Sequence, residues 1–143
     1  MKTLKQLLGA NPRTPLSVGP DDSVFSALEL MAKKDVGALL VVRGDQLVGI
    51  FSERDYARKV ILLGKSSKET AVKEIMPEKV LYALPEQTVD QAMALMTEKH
   101  IRHLPVMDGG KRLVGMVSIG DLVKETISEQ RFLIQQLEQY IAG

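Results

Sequence analysis

Two Ser–x–x–Asp sequences carry the side chains best suited to chemistry in this 143-residue chain: Ser52 with Asp55, and Ser118 with Asp121. Each Ser lies three residues after a glycine that opens an apolar segment. An ionised carboxylate only accepts hydrogen bonds, and it can take two neighbouring hydroxyl donors at once. If a helix begins here, its dipole favours the negative charge and its N–H groups can bind an anion. The pattern therefore indicates a polar site that occurs twice, although Ser–x–x–Asp is also the pattern of a simple helix cap.

The duplication extends well beyond these four residues. Residues of the first half recur 65 positions later, and after one inserted residue the match resumes at a spacing of 66. Because apolar and polar residues both recur, we expect the two halves to share one fold. The residues repeated at a spacing of 65 are Pro20, Val24, Ala27, Leu30, Met31, Lys34, Leu39 and Val41, and those at 66 are Leu47, Val48, Gly49, Ser52 and Asp55.

Each copy predicts the order extended segment, helix, strand, strand, helix. Ser23 and Thr88 are good N-caps, and apolar residues follow them at positions i, i+3, i+4 and i+7. Segments 38–42 with 47–51, and 103–107 with 113–117, read as hairpins around polar turns at 43–46 and 108–111. Second helices are expected at about 53–62 and from 121 onward. The predicted fold class is α/β (α+β), with two β-α-β-β-α repeats packed as a pseudo-two-fold module.

These elements predict four parts of the chain: a first repeat with its lead-in helix at 1–64, a linker at 65–70, a second repeat at 71–125 and a C-terminal helix at 126–143. In the last part, Ile127, Ile134 and Ile141 lie seven residues apart and form an apolar stripe. The stripe either packs on its own domain or forms a dimer contact. We expect a homodimer, because repeats this small have little spare apolar surface to cover the stripe.

Composition limits the classes of function. The chain is 45% apolar and 26% charged with a net charge of +1, and it lacks the basic stripe of a duplex-binding protein. It has no cysteine, which excludes disulfides and thiolate chemistry. No apolar run approaches the roughly 18 residues of a membrane span, and the N-terminus has no secretory apolar region. We therefore expect a cytoplasmic protein that binds neither nucleic acid nor a membrane.

Three further features predict that the chain is not an enzyme and holds no metal. The two histidines, His100 and His103, have no acidic cluster near them in the sequence. Gly64-Lys65-Ser66 matches the end of a P-loop pattern, but the pattern fails because Lys59 stands where it needs its first Gly. No Ser-His-Asp set or other pair of nucleophile and base is suggested.

The glycine-led segments 49–55 and 115–121, each inside a β-α-β-β-α repeat, resemble those of the CBS (cystathionine-β-synthase) domain. Segments 36–41, 101–106 and 74–77 support the resemblance, which covers roughly residues 3–125. The chain resembles the stand-alone bacterial proteins that consist of one CBS pair. The resemblance implies a regulatory, energy-sensing module without a catalytic cofactor. Its clefts between the repeats would bind AMP, ADP, ATP, S-adenosylmethionine or NAD(H), and it would act on a further protein. The alternative is a ligand-free interaction module that acts through its dimer and its C-terminal helix.

By position, the resemblance assigns Asp55 and Asp121 to the ribose hydroxyls and the serines three residues earlier to the phosphate. Arg54 would add a fork to phosphate oxygens. Its counterpart is Gly120, so we expect two sites that differ in ligand or affinity. The adenine would lie in an apolar slot. The predicted ligand-binding residues are Ser17, Val18, Val36, Gly37, Ala38, Ser52, Arg54 and Asp55, and Val80, Leu81, Ile101, Arg102, His103, Pro105, Ser118 and Asp121.

Two glycines and one proline are expected to affect how the strands pack and pair. Gly49 and Gly115 are expected to let a strand start close to a neighbouring backbone. Pro105 is expected at an edge position of its strand, since proline has no N–H for a ladder.

Overall fold

A computed structural model of the protein describes residues 2–10, 15–77, 79–109 and 112–142. The chain divides into two compact units: the repeat-1 unit, Thr14–Leu81, and the repeat-2 unit, which combines Met1–Arg13 with Tyr82–Gly143. In chain order the elements are α1 (Leu4–Ala10), β1 (Ser17–Val18), α2 (Val24–Lys34), β2 (Ala38–Arg43), β3 (Gln46–Ser52), α3 (Glu53–Tyr56) continued by a π-helical turn (Ala57–Ile61), α4 (Val72–Ile75), α5 (Val89–Lys99), β4 (His103–Met107), β5 (Leu113–Ser118) and α6 (Ile119–Ala142).

The predicted hairpins form the sheets of both units. In the repeat-1 unit the sheet order is β1–β2–β3, with β1 parallel and β3 antiparallel to β2. In the repeat-2 unit β4 and β5 pair antiparallel, and one bridge from Ala83 to Val106 stands in place of a first strand. Both hairpins shift register at the same repeat position, after Val41 and after Val106. The duplication therefore extends to local irregularities of the backbone.

The first helix of each repeat buries the face that its apolar period predicts. Full burial of a Val or Met side chain contributes about 1.5–3 kcal/mol, so this face stabilises the packing of both helices. The buried residues are Val24, Ala27 and Met31 in α2, and Val89, Ala92 and Met96 in α5.

Both of these helices end in the same left-handed cap. Asp35 (φ 53°) and His100 (φ 55°) adopt the left-handed conformation, which Asp and His tolerate better than most side chains. The N–H of the next residue, Val36 or Ile101, donates to the carbonyl five residues earlier, at 3.1 and 3.0 Å. This is the bond of a Schellman motif. His100 is thus a helix cap, and the cap turns the chain into β2 or β4.

The lead-in helices pack on the repeat that they do not precede. The N–H groups of Leu4 and Lys5 donate to carbonyls at the start of the second repeat, at 2.8 and 2.9 Å. Val72 and Lys73 make the equivalent bonds to the start of the first repeat, at 2.9 and 3.0 Å. The predicted parts 1–64 and 71–125 assign each lead-in helix to the repeat that follows it in the sequence. In the structure α1 belongs to the repeat-2 unit and α4 belongs to the repeat-1 unit, so the compact units exchange their lead-in helices.

The segment predicted as a linker, 65–70, is folded against α2. The carbonyls of Thr70 and Ser67 accept from Val24 and Phe25 at 2.8 and 2.9 Å, and Thr70 is buried. Its hydroxyl donates to the Ser66 carbonyl at 2.7 Å. These bonds satisfy N–H groups at the start of α2, which a helix cannot pair internally.

Two other elements differ from their predicted form. The helix expected at 53–62 begins at Glu53, but its second half is a π-helical turn. The second helix of repeat 2, expected from about 121 onward, begins at Ile119 and continues through the C-terminal segment as α6. The predicted turn at 108–111 lies partly outside the described residues, because residues 110 and 111 are not among them. None of the described helices combines the length and apolar character needed to cross a membrane.

Candidate functional site

In the repeat-1 unit, β2 and β3 bring four predicted site residues together at the start of α3. Ala38, the first residue of β2, pairs with Ser52, the last residue of β3. The N–H of Glu53 donates to the Gly37 carbonyl at 3.1 Å, which ties the helix start to the segment before β2. Asp55 follows on the first turn of α3 and is partly buried. The structure thus places Gly37, Ala38, Ser52 and Asp55 at one end of one sheet.

Ser52 and Asp55 form a capping box. The Ser52 N–H and hydroxyl both donate to Asp55 Oδ2 at 3.0 Å, and the Asp55 N–H donates to Ser52 Oγ at 3.3 Å. The cap fixes the carboxylate through Oδ2, so Oδ1 is the oxygen that a ligand diol would have to reach. The N–H groups of Glu53 and Asp55 are both engaged. The helix start therefore offers a phosphate fewer N–H donors than the sequence argument assumed.

The repeat-2 unit reproduces this geometry. His103 pairs with Ser118 at the matching ends of β4 and β5. The Ile119 N–H donates to the Arg102 carbonyl at 2.8 Å. The Ser118 N–H donates to Asp121 Oδ2 at 3.0 Å, and the Asp121 N–H donates to Ser118 Oγ at 3.1 Å. Both copies of Ser–x–x–Asp are therefore helix caps that hold their carboxylates in the same orientation.

The glycines of the repeat make room for side chains of the lead-in segments, whereas the sequence argument expected a neighbouring backbone. A Cβ built on Gly115 would lie 3.1 Å from both terminal methyl carbons of Leu8. A Cβ on Gly49 would overlap the sulfur of Met76. Leu8 and Met76 occupy equivalent positions of the two lead-ins, so these glycines are packing residues. The similarity of segments 4–8 and 72–76 was the sequence signal that could have paired them.

The apolar candidates belong largely to the cores. Val18 lies in the core of the repeat-1 unit, and Val36 packs against that core. Ala38 is 1% exposed. Ile101 packs against the core of the repeat-2 unit. If these side chains line a ligand pocket, they also pack in or against the cores.

Pro105 lies inside β4, where it is buried, and its position explains why the second repeat has a bridge in place of β1. In the first repeat the Leu40 N–H donates to the Leu16 carbonyl at 3.0 Å. Pro105 takes the place of Leu40 and has no N–H. It keeps the carbonyl bond, which accepts from the Ala83 N–H at 2.9 Å. The missing N–H would point away from β5, so the β4–β5 ladder loses no hydrogen bond. On the side of β4 that faces away from β5, Pro105 therefore has the edge position that was expected.

The remaining candidates are more exposed. Ser17 on β1, Arg54 on α3 and Arg102 before β4 are exposed, and His103 is half-buried. Val80 and Leu81 were predicted with the second site, but they fall at the end of the repeat-1 unit.

An ion pair on a different part of the repeat-1 unit changes the acidity of an aspartate. The Lys73 ammonium, 2.8 Å from Asp21, lowers the pKa of that carboxyl by a hydrogen bond and by its charge, and Arg43 adds to the effect. Among residues 2–10, 15–77, 79–109 and 112–142, no group of three or more His, Asp or Glu could hold a metal ion.

Comparison with known proteins identifies the repeat. A model of the CBS domain matches residues 7–61 and 72–128. A protein with CBS domains from Burkholderia ambifaria MC40-6 is 55% identical, with a TM-score of 0.86 over 90% of this chain and 96% of that one. The CBS domain pair of protein MJ0100, solved with 5′-methylthioadenosine and S-adenosyl-L-methionine, is 25% identical, with a TM-score of 0.77 over 90% and 98%.

A plant relative is also similar but longer. The CBS domain-containing protein CBSX3, mitochondrial, of Arabidopsis thaliana is 48% identical over 128 residues, which are 86% of this chain and 62% of the relative. The chain therefore spans less than two thirds of that protein. The family matches fall once in each half and agree with the predicted tandem pair and fold class. The chain belongs to the CBS domain family.

Proposed function

We propose that this CBS pair is a regulatory module that binds an adenosyl compound, with Asp55 and Asp121 accepting the ribose hydroxyls. The observation that carries the proposal is the orientation of these carboxylates. In both units a capping bond to the preceding serine holds one carboxylate oxygen at 3.0 Å. A carboxylate that is already fixed loses little conformational freedom when a diol binds, which favours affinity.

The family supports the proposed class of ligand. The CBS pair of MJ0100 was solved with two adenosyl compounds, and the chain shares its fold. AMP, ADP, ATP and NAD(H) carry the same ribose diol next to an adenine and are included in the proposal. A module of this kind regulates by binding one conformation better than another, and no catalytic step is required of its residues.

The two sites are proposed to differ. Arg54 lies on the first turn of α3, and Gly120 takes its place in α6. Because guanidinium binds phosphate oxygens in a bidentate manner, a phosphorylated ligand should prefer the site of Asp55. His103 and Arg102 stand where the first repeat has Ala38 and Gly37, which also changes the second site.

A thermal-shift panel tests the proposal. AMP, ADP, ATP, S-adenosylmethionine and NADH are added singly to the wild type and to Asp55→Ala and Asp121→Ala. At least one ligand should raise Tm, and at least one variant should reduce that rise, because a ligand that binds the folded state stabilises it. No rise with any of the five ligands contradicts the proposal.

A matched control separates ligand binding from helix capping. Gln91 is the third helical residue of α5 and forms a capping box with Thr88, with bonds of 2.9 and 3.2 Å. Gln91→Ala removes the same kind of cap as Asp55→Ala. It should lower Tm by a similar amount and leave the ligand-induced rise intact. An equal loss of the rise in Gln91→Ala would mean that capping alone explains the Asp variants.

The alternative function, an interaction module, is supported by a different observation. The part of α6 beyond Thr126 exposes large apolar side chains, among them Leu137 and Tyr140 at 62% and 87%. We therefore also propose that the chain forms a homodimer through this part of α6. The cytoplasmic location stays a prediction.

A further inference from the structure

Met76 fills a position in the core of the repeat-1 unit that a glycine leaves open. Gly49 lies on the buried side of β3, two residues before the fully buried Phe51. Met76 directly follows α4 and packs against this core from the lead-in segment. A Cβ built on Gly49 would overlap the sulfur of Met76 and lie 3.2 and 3.4 Å from its Cε and Cγ. The thioether group itself therefore makes the contact with the strand.

The repeat-2 unit makes the equivalent contact with a side chain that carries no sulfur. Leu8 stands at the position of Met76, and its terminal methyl carbons lie 3.1 Å from a Cβ built on Gly115. Leu8 and Met76 each pack against the core of their own unit, and both remain partly exposed. The chain thus contains the same contact twice, and only the copy with a thioether can be oxidised.

Burial and hydrogen bonding distinguish Met76 from other methionines in the described part of the chain. Met93 is partly exposed, but its sulfur accepts a hydrogen bond from the Thr126 hydroxyl at 3.4 Å, and this bond occupies a lone pair. Met116 is partly exposed on the side of β5 opposite its buried positions, so its oxidation would leave the core unchanged. Three others are at most 9% exposed and are shielded from an oxidant in water: Met31, Met96 and Met107.

We propose that Met76 is a site of reversible oxidation by hydroperoxides, and that its sulfoxide loosens the lead-in segment of the repeat-1 unit. A sulfur lone pair attacks one peroxide oxygen, and the S–O bond forms as the O–O bond breaks. The other oxygen leaves with the proton of the first, as water from hydrogen peroxide or as an alcohol from an alkyl hydroperoxide. Sulfur is oxidised and the peroxide is reduced by the same electron pair. The product places a polar oxygen against the core, which is unfavourable without a hydrogen-bond donor.

The contacts of α4 define where the effect of oxidation should appear. The N–H groups of Val72 and Lys73 donate to carbonyls at the start of the first repeat, at 2.9 and 3.0 Å. The Lys59 ammonium donates to the Ile75 carbonyl at 3.0 Å, which joins the end of α4 to the π-helical turn. Because Met76 holds the segment directly after these bonds, loss of its contact should let α4 open more often.

Amide hydrogen exchange of the full chain, measured by NMR before and after treatment with hydrogen peroxide, tests the proposal. Peptide mapping by mass spectrometry should find the sulfoxide at Met76, and the amides of Val72 and Lys73 should exchange about tenfold faster or more. The equivalent amides in the repeat-2 unit, those of Leu4 and Lys5, are the internal control and should keep their rates. Tm should fall by about 4 °C or more, and methionine sulfoxide reductases should restore it.

Met76→Leu is the decisive variant, because it gives the repeat-1 contact the side chain that the repeat-2 unit uses. Each variant is compared with its own untreated sample. Peroxide should leave the Tm and the exchange rates of Met76→Leu unchanged, whereas Met93→Leu should respond like the wild type. The proposal is overturned if peroxide lowers the Tm of Met76→Leu as much as that of the wild type. It is also overturned if Met116 is oxidised while Met76 stays reduced.

Met76→Gln tests the structural consequence without any oxidant. Gln has a similar length and places polar atoms where the sulfoxide oxygen would lie, so the amides of Val72 and Lys73 should exchange faster in the untreated variant. Wild-type protection of these amides in Met76→Gln and in the wild-type sulfoxide would show that the contact tolerates a polar group, and the proposed loosening would be wrong. These measurements need no ligand, so their outcome is separate from that of the thermal-shift panel.

Discussion

Single glycines in the β3 and β5 strands control how the lead-in segments pack. Gly49 and Gly115 stand beside the Ser–x–x–Asp sites in the sequence, where they were expected to let a strand start close to a neighbouring backbone. The structure places a side chain of the opposite lead-in on each glycine. The two glycines are not equally sensitive, because Met76 is flexible and can move its sulfur, whereas Leu8 presents two methyl groups at 3.1 Å.

Gly115→Ala is therefore expected to destabilise the protein. Overpacking costs about 1–3 kcal/mol and Ala in a strand recovers about 0.5–1 kcal/mol over Gly, which leaves a net loss of about 1 kcal/mol. Urea unfolding measures it. In the double variant with Leu8→Ala, the loss should be smaller than the sum of the single losses by about 0.5 kcal/mol or more. Strict additivity would contradict the contact. Gly9→Ala, in α1 with nothing within 4 Å of its Cβ, is the control and should stabilise.

The ion pair of Asp21 gives a prediction for pH. Its pKa lies below the ordinary 3.8 because of Lys73 first and Arg43 second, at 2.8 and 3.8 Å. A lowered carboxyl pKa contributes stability that is present above the unfolded pKa and is lost as pH falls through the folded one. Both partners are exposed, so the contribution is small and weakened by salt.

Lys73→Met should raise the pKa of Asp21 towards its ordinary value. An NMR titration of the Asp21 carboxyl carbon measures the change directly. Arg43→Met should produce a smaller rise, because its contact is longer and its effect on the pKa comes last. A pKa that does not move in Lys73→Met would remove the ion pair as the cause.

At the level of elements, the exchange of lead-in helices determines what stabilises each repeat. Leu7 of α1 belongs to the core of the repeat-2 unit, and Ile75 of α4 belongs to that of the repeat-1 unit. Leu7→Ala and Ile75→Ala should each cost about 2–5 kcal/mol.

Native-state hydrogen exchange should show the two losses in different places. Leu7→Ala should reduce protection in α5, β4 and β5, and Ile75→Ala should reduce protection in α2, β2 and β3. Each variant is the control for the other, because the substitutions occupy equivalent positions. Reduced protection of α2, β2 and β3 in Leu7→Ala, with α5 unaffected, would contradict the exchange.

The elements also show how far the sequence could predict this structure. The helical period of apolar residues placed α2 and α5, and short apolar segments around polar turns placed both hairpins within a residue or so, because those patterns depend on local burial. The period could not assign α1 and α4 to a repeat, since both carry the same apolar spacing and either repeat could accept it. The capping boxes followed from Ser–x–x–Asp itself. The loss of a strand opposite Pro105 could have been inferred from its missing N–H.

At the scale of the whole molecule, the proposed ligand binding and the proposed homodimer can be thermodynamically coupled. A ligand regulates only if it binds one state of the protein better than another. If the states differ in self-association, ligand affinity and dimer affinity must change each other by the same factor.

We expect the apparent Kd of the best ligand in the thermal-shift panel to depend on protein concentration. Isothermal titration is carried out at concentrations below and above the dimer Kd, and a coupling of 1–3 kcal/mol, typical of allosteric proteins, would shift the apparent Kd by about 5- to 150-fold between the two limits. Leu137→Asp places a charge on the exposed apolar face of α6 and should therefore stay monomeric. This variant should give one Kd at all concentrations, equal to the Kd of the wild type at high dilution. Equal affinities of the wild type at both limits would show that ligand and dimer are independent, and regulation would then have to act through a different pair of states.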